Sequence, residues 1–191
     1  TYPLLWEKGD RIIIAPSGKP ATSYYETQGH DNDVAEFRFI SGLEGNEMPP
    51  ENTALTALYP ADAYKFTDGK HTINIPENQT YRKNNISSGT MPMIAGATSR
   101  ELSFRNVCGI LRLRLNTLEQ DIRLSSIKVA ADKGLAGPIA TFEGTDVTWN
   151  NPDGETGHGI TLSCDGTALS PEPEDFYIVL PPGNYRGFKI Q

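Results

Sequence analysis

The sequence feature that most constrains this chain is an alternating stretch at residues 92–115, PMIAGATSRELSFRNVCGILRLRL. A period of two indicates a β-strand with one buried face and one solvent-facing face. The second half of the stretch predicts an inward row of leucines with arginines opposite, because an unpartnered buried guanidinium is very costly. The predicted inward residues are Leu111, Leu113 and Leu115, and the predicted outward residues are Arg112 and Arg114.

The two halves of this stretch are out of phase with each other. Leu102 and Phe104 place apolar side chains at even positions, whereas the leucine row occupies odd positions. A strand changes face only through an extra residue, a bend or a break, and Gly109 lies where a glycine would permit it. We therefore expect one long strand, or two strands end to end, with a bulge between Arg105 and Ile110. The leucine row is either the core strand of a sandwich or the lining of a groove that another chain fills.

Short strand-like runs and frequent turns favour an all-β fold for the rest of the chain. The triplet Ile12–Ile14 and the run Phe176–Leu180 are apolar on successive residues, which is typical of strands buried on both faces. Asp68-Gly69, between two alternating runs, predicts a tight hairpin. No segment of ten or more residues has the spacing of an amphipathic helix. The polar segment Glu77–Gly89 predicts an exposed loop.

A polar break at Asn116–Asp121 separates two strand-rich halves. It predicts an N-terminal β-sandwich domain at residues 1–118 and a C-terminal one at residues 119–191, which we expect to be incomplete. The two cysteines, Cys108 and Cys164, share the phase of inward residues. They form either a disulfide, if the compartment is oxidising, or two buried free thiols.

Charge and motifs exclude several classes of function. The net charge of −7, without a basic cluster, argues against binding of nucleic acid or an anionic membrane. No apolar run approaches the roughly 18 residues that span a bilayer. The three histidines stand alone, and no spacing typical of a metal site, a phosphate-binding loop or a nucleophile elbow occurs. The sequence therefore predicts no enzyme, no cofactor and no metal.

The order of several phrases resembles the fimbrillin-like family of Bacteroidales-type bacteria, whose members are pilus subunits, tip adhesins and anchors. Together the phrases span nearly the whole chain. They are WEKGDRIII, ALYPADAY, INIPENQTY, MPMIAGATSRELSFRNVCGILRLRL, IRLSSIKVAADKGLAG, GITLSC and FYIVLPPGNYRGFKI.

The resemblance implies two tandem transthyretin-like β-sandwich domains with Greek-key-type connections. It implies export as an outer-membrane lipoprotein precursor and display in a fimbria at the cell surface. Assembly in this family uses strand donation, in which proteolysis removes an N-terminal strand and a strand of the next subunit fills the groove. The implied partners are other pilus subunits, with a host glycan or glycoprotein as a further partner. Thr1 is then expected to follow a natural cut, unless it marks a cloning boundary.

An extracellular carbohydrate-binding β-sandwich module is the alternative function. Aromatic side chains in loops are the residues that would stack on a sugar ring. The candidates in loop-like sequence are Tyr24, Tyr25 and Tyr81.

Overall fold

The computed structural model describes residues 5–16, 20–21, 23–29, 33–42, 54–97, 101–153 and 158–191. Within these residues the secondary structure is a set of strands and one short 3-10 helix, so the predicted all-β class is confirmed. The 3-10 helix is Ala61–Ala63. The strands are β1 (Arg11–Pro16), β2 (Ser23–Thr27), β3 (Phe37–Gly42), β4 (Leu55–Tyr59), β5 (Tyr64–Thr67), β6 (Lys70–Ile75), β7 (Asn78–Arg82), β8 (Asn85–Ile86), β9 (Met93–Ala97), β10 (Arg105–Asn106), β11 (Gly109–Leu115), β12 (Arg123–Ala131), β13 (Gly137–Glu143), β14 (Asp146–Trp149), β15 (Ile160–Ala168), β16 (Glu174–Leu180) and β17 (Phe188–Ile190).

These strands form four sheets. The largest has six strands in the order β10-β9-β4-β1-β2-β3, and the next has five in the order β17-β12-β15-β7-β8. A four-stranded sheet has the order β14-β13-β6-β5, and β11 pairs with β16 in a two-stranded sheet. β7 and β15 run parallel to each other, whereas β11 and β16 are antiparallel.

Within the six-stranded sheet, β1 is buried on both faces, as the isoleucine triplet predicts. Ile13 belongs to the main apolar cluster of the molecule, and it is fully buried. Ile12 and Ile14 point to the other face, where they pack in a second cluster with Tyr25 and Tyr59. Side chains of one strand alternate between faces, so a continuous apolar run is what a sheet covered on both sides requires.

Strand pairing and core packing both cross the predicted boundary between residues 118 and 119. β11, β6 and β7 precede the boundary, and they pair with β16, β13 and β15, which follow it. The main apolar cluster also joins Ile13 and Ile75 to Ile127 and Phe176. The two halves are therefore not separately packed units, and the polar break is the exposed connection between β11 and β12. The transthyretin-like arrangement stays a prediction.

The phase change in the stretch at residues 92–115 has a definite structural cause. β10 ends at Asn106 at the edge of the six-stranded sheet, and β11 begins at Gly109 in the two-stranded sheet. Between them Val107 is buried, and its N–H donates to the carbonyl oxygen of Pro92 at 3.1 Å. The expectation of one strand, or of two strands end to end, is therefore corrected: the described part of this stretch forms three strands, β9, β10 and β11, and β11 lies in a different sheet from the other two. Leu102 and Phe104 lie in none of these strands.

Candidate assembly site

The leucine row of β11 faces the core, as its alternation predicts. Leu111, Leu113 and Leu115 are half-buried and pack against the main apolar cluster. Arg112 and Arg114 are exposed on the opposite face. Ile110 shares that outer face and is 49% exposed. The leucines thus retain accessible apolar surface, which fully buried core leucines do not.

β11 has an open edge within the described part of the chain. It pairs along its whole length with β16, from Gly109 opposite Leu180 to Leu115 opposite Glu174. The described residues include no second strand paired with it. In an antiparallel pair each strand directs only about half of its N–H and C=O groups at one neighbour. The remaining groups of β11 therefore lie along an edge that can accept another strand.

Asp175 holds the outer face of β11 to β16. Its Oδ2 accepts a hydrogen bond from Arg112 at 2.7 Å, and its Oδ1 lies 3.7 Å from Nε of Arg114. The hydrogen bond from Arg112 is the main reason that the pKa of the Asp175 carboxyl lies below its usual value. The outer face therefore carries two guanidinium groups against one carboxylate, and it is net positive.

A side-chain amide caps the other edge of β16. Gln79 of β7 is only 3% exposed. Its Nε2 donates to the carbonyl oxygen of Val179, and its Oε1 accepts from the N–H of Val179, both at 2.9 Å. One amide thus supplies the pair of hydrogen bonds that a neighbouring strand residue would make. Consequently the prediction of an exposed loop at Glu77–Gly89 is wrong, because this segment contains β7 and β8.

The two cysteines are free thiols. Cys164 is buried in the main cluster, and Cys108 is half-buried between that cluster and a smaller one that contains Tyr177 and Val179. Burial raises the pKa of the Cys108 thiol to about 12 and also raises that of Cys164. Of the two alternatives, free thiols are what the structure has, and both are held in the unreactive protonated form.

The tyrosines predicted to stack on a sugar lie in strands, not in loops. Tyr25 is 6% exposed and packs in the second apolar cluster, and Tyr24 packs against the main cluster. Tyr81 lies in β7, its ring is 4.8 Å from that of Phe176, and its hydroxyl donates to Glu174. All three rings are committed to the packing of the protein, so this prediction is corrected.

A cleft that sequence reasoning missed lies at the start of β1. It has a volume of about 470 Å³, and Trp6 and Phe104 are among its lining residues; we call it the Trp6 cleft. The Trp6 ring makes edge contacts with Phe37, Tyr59 and Phe104, at centroid distances of 4.9, 5.1 and 5.3 Å. The sequence contains only a weak signal for this cleft, because a single tryptophan next to a turn can be either a core residue or part of a binding surface.

A buried carboxylate fixes the wall of the Trp6 cleft. Oδ1 of Asp10 accepts hydrogen bonds from the hydroxyls of Tyr59 at 2.8 Å and Ser88 at 2.6 Å. Its Oδ2 accepts from the N–H of Glu7 at 2.8 Å, and the N–H of Gly89 donates to the Tyr59 hydroxyl at 2.8 Å. The segment before β1 is thereby tied to the turn after β8. Burial is the main reason that the pKa of Tyr59 is raised, so this hydroxyl stays protonated and continues to donate.

The described residues hold no group of three or more histidine, cysteine, aspartate or glutamate side chains placed to bind a metal ion. The expected absence of enzymatic activity stays a prediction. None of the described helices has the length and apolar character that crossing a membrane requires.

Comparisons with known proteins give a likeness of fold. No protein-family model matches the chain, and no curated protein matches it. Among solved structures, the chain is similar to one described as a "putative cell adhesion protein" from Bacteroides ovatus, with a TM-score of 0.53 and 13% sequence identity. The match covers 97% of this chain and 73% of that one. At this identity the likeness concerns the fold.

Proposed function

We propose that this chain is a structural subunit or adhesin of a bacterial surface fimbria, and that it accepts a strand of a neighbouring subunit at the open edge of β11. The observation that carries the proposal is a seven-residue strand that the described residues pair on one side only, with a half-buried leucine row beside the open edge. The likeness of fold to a Bacteroides ovatus protein described as a cell adhesion protein supports the same reading. Export as an outer-membrane lipoprotein precursor remains a prediction from the resemblance.

The energy available at the β11 edge is moderate. Completing the burial of three half-buried leucines would contribute about 2–5 kcal/mol, at about half of the 1.5–3 kcal/mol for a fully buried side chain. Each new backbone hydrogen bond adds roughly 0.5–1.5 kcal/mol. Association costs about 4–15 kcal/mol in lost freedom. Strand addition at this edge alone therefore predicts weak association, and a stable fimbria requires the incoming strand to bury further apolar surface.

Hydrogen exchange tests this proposal directly. The β11 amides that point to the open edge should exchange rapidly in the monomer and slowly in fimbriae purified from cells, because pairing protects them. A Leu113→Asp variant places a charge in the leucine row and should fold but fail to enter fimbriae. Val34→Asp is the control, because Val34 is an apolar residue 79% exposed elsewhere on the molecule.

Two results would contradict the proposal. One is unchanged exchange of the β11 amides between monomer and fimbria. The other is incorporation of the folded Leu113→Asp variant at the level of the Val34→Asp control. Either result would mean that the leucine row only packs in the core and does not take part in assembly. The alternative of a carbohydrate-binding module that uses Tyr24, Tyr25 and Tyr81 is not favoured, because these rings are packed in the fold.

A further inference from the structure

We propose that the Trp6 cleft binds a neutral saccharide. This inference does not rest on strand addition at β11, because the two sites share no residue. The cleft combines an aromatic and aliphatic floor with a polar rim. Its floor includes Trp6, Met91, Leu102 and Phe104, and its rim includes Asp33, Asn85, Ser87, Ser103 and Asn106. A concave site of roughly 300–1,000 Å³ with an apolar lining and a few polar groups is typical of small-ligand binding.

The cleft is rigid before any ligand arrives. Trp6 is held by edge contacts with three other rings, two of which, Tyr59 and Phe104, also line the cleft. The carboxylate of Asp10 is satisfied by three donors, one each from the segment before β1, from β4 and from the turn after β8. A binding surface whose side chains are already ordered loses little conformational entropy when it binds. The site is therefore suited to a weakly interacting ligand such as a sugar, which gains little per contact.

The charges around the cleft select against anions. Three carboxylates line it, those of Glu7, Asp10 and Asp33, and its described lining residues include no lysine or arginine. Glu7 forms an ion pair with Arg82, which is outside the lining, so the negative charge of the cleft comes from Asp10 and Asp33. A concave surface of one sign repels ligands of the same sign. Sialylated and sulfated glycans are therefore disfavoured.

A cation is also a poor fit to these carboxylates. Glu7 is paired with Arg82, and Asp10 is satisfied by its three hydrogen-bond donors. The third carboxylate, that of Asp33, is exposed at the rim and takes part in neither the Glu7–Arg82 ion pair nor the hydrogen bonds to Asp10. What remains is a site with uncharged amides and hydroxyls beside aromatic rings. The apolar C–H face of a pyranose would lie on the rings while its hydroxyls bond to the amide and hydroxyl groups.

The test begins with a printed array of neutral, sialylated and sulfated oligosaccharides probed with the intact chain. The hits are then titrated in a Trp149→Phe background, which leaves Trp6 as the single tryptophan of the two in the sequence. We expect binding confined to neutral oligosaccharides and a saturable change in Trp6 emission. Asn106→Ala, which removes one rim amide at an exposed strand position, should weaken binding about twofold to tenfold, as loss of one hydrogen bond does.

Asn78→Ala is the matched control, because Asn78 is an exposed strand asparagine outside the cleft. It should leave the affinity unchanged, and Leu113→Asp should also retain binding even where it blocks assembly. Three outcomes would overturn the inference: no neutral oligosaccharide on the array is bound, sialylated or sulfated forms are preferred, or Asn106→Ala binds as tightly as Asn78→Ala.

Discussion

Replacing Gln79 with methionine tests how the edge of β16 is satisfied. Methionine has nearly the length of glutamine but neither donates nor accepts comparably. The substitution leaves the N–H and the carbonyl oxygen of Val179 without their partner amide, and Val179 is fully buried. Each buried backbone group left unsatisfied costs about 1–3 kcal/mol. We therefore expect Gln79→Met to lower the free energy of unfolding by about 2–6 kcal/mol, a large share of the roughly 5–15 kcal/mol typical of a folded protein.

Urea denaturation followed by circular dichroism measures this loss. The midpoint concentration should fall while the slope of the transition stays the same, because the surface exposed on unfolding does not change. Gln120→Met is the control, since Gln120 is exposed in the connection between β11 and β12, and such surface changes stay within about 0.5 kcal/mol. A loss below about 1 kcal/mol for Gln79→Met would show that the hydrogen bonds of the Gln79 amide to Val179 contribute little to stability, and it would refute this prediction.

A Gln79→Glu variant sharpens the same test through its pH dependence. At neutral pH the carboxylate formed by this substitution accepts a hydrogen bond from the Val179 N–H but cannot donate one to the Val179 carbonyl oxygen. The carbonyl oxygen is then unsatisfied, and a charge is buried. Burial raises the pKa of this carboxyl in the folded state above its unfolded value of about 4.3. The folded protein then binds more protons, and stability is regained as pH falls through the folded pKa. Gln79→Met should show no such recovery.

Further predictions concern β11, His71 and the two cysteines. Leu113→Ala should lower the free energy of unfolding by about 2 kcal/mol, the low end of the range for buried leucines because Leu113 is half-buried. Arg112→Gln should cost under about 1 kcal/mol, as for an exposed ion pair; denaturation midpoints that place the two variants together would contradict this. His71 is buried, and its pKa is lowered by that burial, so stability should be fully present above pH 6.5 and fall as pH drops below that value. A His71→Phe variant should lose this slope in thermal melts between pH 5 and 7, and an unchanged slope would assign it to other groups. Cys108 and Cys164 should react with a maleimide only slowly at pH 7 in the native protein and rapidly in urea; rapid native labelling of both would show that they are not protected.

The features that the sequence predicts correctly are local ones. The isoleucine triplet indicates a strand covered on both faces because side chains alternate, and Asp68-Gly69 supplies the two positive φ values, +52° and +74°, that its hairpin turn requires. The apolar pattern of residues 122–130 (IRLSSIKVA) changes phase at Ser125-Ser126, and β12 has a register shift between Leu124 and Ser126 at that point. Each of these depends on neighbours within a few residues, so pattern and propensity are sufficient to find them.

The features that the sequence does not reveal depend on distant partners. In the sequence Gln79 belongs to a polar segment typical of a loop. The partner of its amide is the backbone of Val179, which is 100 residues later in the chain. Asp10 likewise becomes a buried residue only because Ser88 and Tyr59 converge on it. The strand pairs that cross residue 118 are missed for the same reason, since a polar break in sequence carries no information on which strands pair across it. Only half of the candidate assembly site was therefore predictable, namely the alternation of β11 and not its open edge.

The two edges of the β11–β16 pair differ, and this difference bears on the strand addition that we propose. On one side the side chain of Gln79 satisfies both backbone groups of Val179, so these groups are not open to another strand. On the other side β11 is added, and its own far edge is open among the described residues. Charged residues on an edge strand discourage uncontrolled pairing, and Arg112 and Arg114 stand on the outer face of this edge. An incoming strand must therefore present apolar side chains to the leucine face and acidic or neutral ones to the arginine face, since like charges in adjacent strands destabilise pairing. The same alternation that builds β11 would then also select its partner.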